Sequence, residues 1–521
     1  MIPTLLSDLH AACAVAWRAG AADPAGVWVR GVTTDSRGDA AGRLFVGVPG
    51  ARFDGAAFAA DAAAQGAVAI LAQDGPGVRE SLEQVAREHG VPVATCADAV
   101  AALAAMGAAV RARSTARVVG ITGSCGKTST KEILATLLGA ARETVASRAS
   151  FNNHIGVPLT LLEVEEGTEA LVVEIGTNHP GEIAPLAALA RPQVAVVTNV
   201  GRSHLAGLGS LEGVAREKGA LVEALSAGGT AILNLDCPRT PDLRSRARAG
   251  VRVLTFSAAG REGADVRAED LRVGADGTRF VLQGGAVPAA VRGEVVHLPL
   301  LGEHAVANAL AALAVVLALG AEPRSALDAT GALRPAPHRL EPLSAGGVAV
   351  IDDAYNANPE SVGAAARLLA RMDGAAAAGA GAPDAPAGAP TGERATTRWL
   401  ALGEMGELGD DSVALHREVG ALVADLRLDR LVVVGAADEG GPLAALGAAA
   451  REGGVDVTHA ASIEDAARAL ADPDQGLAPG DVLLVKASRA AGLEALADRV
   501  RASLDARTTH PLDRRGAEVL T

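Results

Sequence analysis

The chain has 521 residues, long enough for about three domains that each bury a core of their own. Apolar residues make up 49% of it and aromatics only 2%, so the cores must be built from Ala, Val and Leu, as in helices packed closely on parallel sheets. A formal charge of −14 without a basic run excludes nucleic acid as the main partner, yet allows a nucleotide held at one local positive site. The four cysteines, Cys13, Cys96, Cys125 and Cys237, have neither metal-ligand spacing nor a disulfide ladder, which points to the reducing cytoplasm. No signal peptide is evident. The most apolar segment, 305–319, is too short to cross a bilayer, so a buried helix and no stable membrane insertion are expected.

Residues 27–73 alternate short apolar runs with turns, the pattern of a small α/β domain. Thr33-Thr-Asp-Ser-Arg37 follows one of these runs, and Arg52-Phe-Asp-Gly55 could close over the same ligand. A helical stretch near 100–112 leads to an apolar strand at 117–120. It runs into Gly120-Ile-Thr-Gly-Ser-Cys-Gly-Lys-Thr128 and a helix. This is a shortened phosphate loop, with Ile121 where the strict spacing has glycine. Backbone N–H groups freed by Gly123 and Gly126, the helix's positive end and the Lys127 charge would cradle phosphates, and the Thr128 hydroxyl would face Mg²⁺. Gly123, Ser124, Cys125, Gly126, Lys127, Thr128 and Ser129 are therefore the nucleotide-binding candidates.

Strands and helices then alternate to residue 234, which predicts a parallel sheet with ligand groups at the strands' C-terminal ends. Glu174 and His204 stand at two such ends. The amides of Asn152 and Asn153, in Asn152-Asn-His-Ile-Gly-Val-Pro158, could grip a substrate peptide or phosphate; Lys218 lies on a helix of small and acidic residues. Residues 264–300 lose the rhythm and read as an antiparallel appendage, after which His304 and Asn308 begin the apolar helix, placed to read adenine or ribose. A third domain opens at the hinge Leu333-Arg-Pro-Ala-Pro-His-Arg339. Its first strand ends in Asp352-Asp-Ala-Tyr-Asn-Ala-Asn-Pro359, which contains Tyr355, the chain's one tyrosine. Further βα units end at Lys486-Ala-Ser-Arg489. The Gly/Ala/Pro-rich stretch 373–397 cannot build a core and reads as a disordered insertion whose removal should cost little.

Together these motifs resemble the Mur ligase family of ATP-dependent amide-forming enzymes over nearly the whole chain. The Asp352, Asn152 and Leu402-Gly-Glu-Met-Gly-Glu-Leu-Gly409 stretches look most like the branch that adds D-alanyl-D-alanine to UDP-N-acetylmuramoyl-tripeptide. The resemblance implies three domains: a small α/β domain over 1–98, a P-loop parallel-sheet ATPase domain over 99–333 and a Rossmann-like domain over 334–521. It implies ATP and Mg²⁺, with Lys127 at the phosphates and Thr128, Glu174, His204 and a carbamylated Lys218 around the metal. Asn308, Arg339 and Asp353 would contact the nucleotide. Thr34, Ser36, Arg37 and Arg52 would hold the UDP end, and Asn152, Asn153, Tyr355 and Asn356 the rest of the substrates. The implied enzyme is a cytoplasmic monomer that makes an acyl phosphate and resolves it with an amine. The alternatives are a sibling ligase using another amino donor, the folylpolyglutamate synthase relatives included, a generic P-loop kinase or GTPase, and a nonenzymatic nucleotide-binding module.

Overall fold

The structure is a computed structural model that describes residues 1–13, 23–50, 53–274, 276–372 and 395–509. Arg52 and nearly all of the Gly/Ala/Pro-rich stretch lie outside the described residues. Among those residues the chain builds three main sheets, with a two-stranded ribbon between Thr4–Leu5 and Trp28–Val29 beside the first.

The first sheet holds four parallel strands in chain order, Gly31–Thr33, Arg43–Gly47, Ala69–Gln73 and Val93–Cys96. The helix Ala99–Arg113 follows, capped by Asp98, whose carboxylate accepts from the N–H groups of Val100 and Ala101.

The second sheet has nine strands and carries the phosphate loop. Arg117–Thr122 lies at its heart, parallel to Ala170–Glu174 on one side and Val194–Val197 on the other. Register places Glu174 opposite Ile121 and Val197 opposite Thr122, so three strands end at one level. Apart from the exposed Arg117, these strands are buried runs rich in Val, Ile and Ala, as sheets covered on both faces require. The expected appendage is corrected here. Val266–Gly274 pairs in parallel with Arg252–Ser257 before Gly277–Gln283 and Val295–Leu298 add antiparallel strands, so this segment extends the same sheet. The helix Glu303–Ala318 packs beside the Lys127–Gly139 helix and is buried along most of its length, as its composition requires.

The third sheet has six strands. Glu341–Ala345 is an antiparallel edge against Val348–Asp353, which runs parallel to Val482–Lys486, Arg398–Leu402, Arg430–Val434 and Asp456–Ala460 beyond it. Asp353 and Lys486 are register partners at the C-terminal end. No helix among the described residues is long and apolar enough to cross a membrane.

Candidate active site

The phosphate loop has its shape because two positions exclude any side chain. A Cβ on Gly123 would lie 1.8 Å from Thr198 Oγ1, and one on Gly126, where φ is +82°, would lie 2.5 Å from Asn308 Oδ1. No side chain caps the helix that starts at Lys127, so its first N–H groups are left for an anion. Side chains pin the loop from behind: Cys125 N donates to Asn199 Oδ1 at 2.9 Å, and Ser124 Oγ donates to Gly201 O at 3.0 Å. Lys127 Nζ folds back to donate to Gly123 O at 2.8 Å. Burial pushes its ammonium below the ordinary lysine value, and Glu174 opposes that shift.

Around the loop lies one cavity of about 310 Å³, lined from both the second and the third domain. It gathers Ser124, Cys125, Gly126, Lys127, Thr128 and Ser129, together with Asn152, Glu174, His204 and Asn308. Arg339, Asp353, Tyr355 and Asn356 close it from the other side. Glu174 is 1% exposed; Asn152 Nδ2 donates to its Oε1 at 2.8 Å, whereas its Oε2 is buried without a protein partner among the described residues. A carboxylate in that state calls for a cation. His204, held at φ +56°, meets Glu407 Oε2 through Nδ1 at 2.5 Å. That contact lowers the Glu407 carboxyl below its ordinary value, and a ring engaged through Nδ1 has Nε2 left to offer, the arrangement that orients metal-binding histidines. Thr128 and Glu174 add the oxygen donors Mg²⁺ prefers, so the residues present fit that ion.

From the third domain, Arg339 donates to Thr128 Oγ1 at 3.1 Å and stacks over Tyr355, 4.0 Å from the ring centre. Lys486 Nζ donates to Asp353 Oδ2 at 2.6 Å and to Asn356 O at 2.9 Å. Asp353 therefore carries its own counter-ion. Asn358 Nδ2 meets Cys125 Sγ at 3.1 Å.

Other expected residues lie elsewhere. Lys218 is buried behind the lining, on the helix Leu211–Glu223; burial first, and then the positive Lys127, push its amine well below the usual range. Asn153 does not reach the cavity, because its Oδ1 accepts from the N–H groups of Ile155 and Gly156 in the turn that leads into the helix Gly156–Leu161. Thr34, Ser36 and Arg37 sit beyond the first sheet's Gly31–Thr33 strand, away from the cavity. There Arg37 chelates Asp35 with two bonds of 2.8 Å, holding that carboxyl down at about 2. Asn308, expected at the nucleotide base, does line the cavity, but its Oδ1 accepts from Thr130 Oγ1 at 3.1 Å and backs Gly126.

Several lining residues were given no role by the sequence reading. Ser150, Asn199 and Glu360 carry no pattern that sets them apart, whereas Asn358 and Lys486 lay inside the Asp352–Pro359 and Lys486–Arg489 motifs without a role of their own. His304 is enclosed, and burial lowers its imidazole to about 4, so it is neutral at ordinary pH.

Three family models match the chain: the Mur ligase family catalytic domain over residues 29–108, the Mur ligase middle domain over 121–316, and the Mur ligase glutamate ligase domain over 387–489. The UDP-N-acetylmuramoyl-tripeptide–D-alanyl-D-alanine ligase of Mycobacterium tuberculosis is 38% identical over 490 residues, 90% of this chain and 91% of that protein. The crystal structure of MurF from Acinetobacter baumannii superposes with a TM-score of 0.78 at 28% identity, covering 96% of this chain and 99% of its own. MurF ligase from Thermotoga maritima, solved in complex with ADP, gives a TM-score of 0.72 at 27% identity and covers 92% and 99%.

Proposed function

Since the chain belongs to the Mur ligase family, we propose that it is the ATP-dependent ligase that joins D-alanyl-D-alanine to UDP-N-acetylmuramoyl-tripeptide, completing the pentapeptide precursor of peptidoglycan. One observation carries the reading beyond nucleotide binding. The phosphate loop faces Asp353, Tyr355, Asn356 and Lys486 of the third domain across one cavity, an arrangement a simple kinase or GTPase does not need. It also argues for a monomer, because one chain supplies the whole lining. The four free cysteines suit the cytoplasm.

In the reaction the tripeptide's terminal carboxylate attacks the γ-phosphate of ATP and ADP leaves; the dipeptide amine then displaces phosphate from the acyl phosphate and gives up a proton as the amide forms. Two anions must be brought together. The uncapped helix start and Lys127 offset the phosphate charge, while Arg339, arriving from the third domain, adds a second cation beside Thr128. Thr128, Glu174 and His204 would hold Mg²⁺, which when bound supplies Lewis-acid neutralisation of phosphate oxygens. Closure of the third domain about the hinge at 335–337 excludes water and completes the site.

Lys218 supports a further part of this reading. Burial shifts Lys218 toward the free amine that CO₂ needs, and its carbamate would be a fourth, anionic ligand. Replacing it by Ala should reduce turnover on the order of a hundredfold or more, the range of a lost charge-stabilising group. Thr34, Ser36 and Arg37 are assigned to the UDP end, the exposed Arg37 offering a cation to a diphosphate.

The test is Mg²⁺-ATP-dependent phosphate release with UDP-N-acetylmuramoyl-tripeptide, with and without D-alanyl-D-alanine and with a free amino acid as control. Release only with the dipeptide, together with the pentapeptide mass, supports the assignment. Release indifferent to the dipeptide overturns it in favour of a sibling ligase or a phosphotransferase.

A further inference from the structure

We propose that Ser150 is a positioning residue that conveys closure of the third domain to the phosphate-loop hydroxyl of Thr128. The contacts run Arg489, Tyr355, Ser150, Thr128. Arg489 donates to Tyr355 Oη at 3.1 Å, Tyr355 Oη donates to Ser150 Oγ at 2.8 Å, and Ser150 Oγ lies 3.3 Å from Thr128 Oγ1. The first two residues belong to the third domain and the last two to the second. Tyr355 cannot easily look elsewhere, because Arg339 and Arg489 flank its ring at 4.0 and 5.3 Å from the centre. A phenol has one proton to give, and here Ser150 receives it.

Ser150 is itself held in place from the phosphate-loop side. The preceding residue, Ala149, takes φ +44°, a conformation few side-chain-bearing residues adopt. What secures it is Lys131, whose fully buried ammonium donates to Ser147 O at 2.7 Å and Ala149 O at 2.6 Å. Lys131 sits one turn beyond Thr128 on the same helix. The segment 147–150 and the phosphate-loop helix are thereby braced together, and Ser150 presents a hydroxyl between Thr128 on its own side and Tyr355 of the third domain. Thr128 Oγ1 then has two contacts that depend on closure: Arg339 directly, and Tyr355 through Ser150. Chained hydroxyls polarise one another, so loss of the far donor is felt at the near oxygen.

The proposal deepens the ligase reading, since it takes Thr128 as a working group of the nucleotide site, but its first test needs no substrate. Hydrogen exchange of the full-length protein should show the 147–153 amides exchanging faster in Tyr355→Phe than in the wild type; equal protection would overturn the proposal. In turnover assays Ser150→Ala and Tyr355→Phe should each lower kcat about tenfold, the effect of one net hydrogen bond, with KM for ATP within about twofold. The double variant should be no slower than the worse single one, because both break the same chain. Ser150→Thr, which keeps the hydroxyl, should recover most of the rate. Wild-type kcat in Ser150→Ala, or losses that multiply in the double variant, would leave Ser150 as ordinary loop structure and overturn the proposal.

Discussion

At the residue scale the site depends on small side chains in places where chemistry needs backbone. Gly126 combines φ +82° with Asn308 Oδ1 only 2.5 Å from where its Cβ would stand, and Asn308 is held by Thr130. Gly126→Ala should therefore shift the loop and cut kcat/KM on the order of a hundredfold, measured by steady-state ATP turnover. Cys125 shows how position overrides residue type. A thiol beside Lys127 at a helix start would read as reactive, but burial raises it above its ordinary value, with Asn358 and Lys127 only partly opposing this. The sign follows directly: a raised value leaves less thiolate at neutral pH. Alkylation by iodoacetamide should be slow at pH 7 and rise by about tenfold per pH unit through pH 9. A fast, pH-independent reaction would mean the thiol is already ionised at neutral pH, against the raised value.

At the element scale the helix ends place the chemistry. The helix Pro359–Ala370 begins with every local signal for a start: Pro359 at its first position and a reciprocal capping box between Asn358 and Ser361. The same Asn358 also touches Cys125 in the phosphate loop, so one residue both caps a third-domain helix and contacts the second domain. Asn358→Ala should cost about 1 kcal/mol in capping, a fall of roughly 2–4 °C in melting temperature. Turnover should fall as well, whereas a cap on any other surface helix would leave it unchanged. The hinge is built similarly. His338 and Leu340 have φ of +58° and +50° on either side of Arg339, and His338 Nδ1 meets Asp352 Oδ2 at 2.7 Å, which raises the imidazole above its ordinary value. The turn that aims Arg339 is thus tied to the strand that delivers Asp353 and Tyr355.

At the scale of the whole molecule, an ionic clamp spans the two domains at the rim of the cavity, which Glu360 also lines. Arg202, from the second domain, donates to Glu360 Oε1 at 3.0 Å and to Glu418 Oε2 at 2.6 Å, both in the third. All three side chains are at least a third exposed, so the clamp contributes below about 1 kcal/mol to folding; its effect falls on the balance between open and closed forms. Arg202→Ala should leave the melting temperature nearly unchanged and raise the radius of gyration seen by solution scattering. Added salt should expand the wild type and leave the variant unmoved, because exposed charges are screened. The phosphate loop, the parallel sheets, the buried Glu303–Ala318 helix and the Asp352–Pro359 motif were all legible in the amino-acid sequence. Glycine spacing, apolar runs and helix caps are local, so neighbouring residues carry them. That Asn153 binds the backbone of its own turn while Asn152 holds Glu174 was not legible, since two adjacent amides look alike until the backbone turns them apart. Nor were the partners of Cys125 and Tyr355, which lie 233 and 205 residues away in Asn358 and Ser150. The sequence by itself determined which chemical groups the protein owns and on which elements they ride. Only the tertiary structure decided which of them meet, because contacts between distant residues are set by how the domains pack.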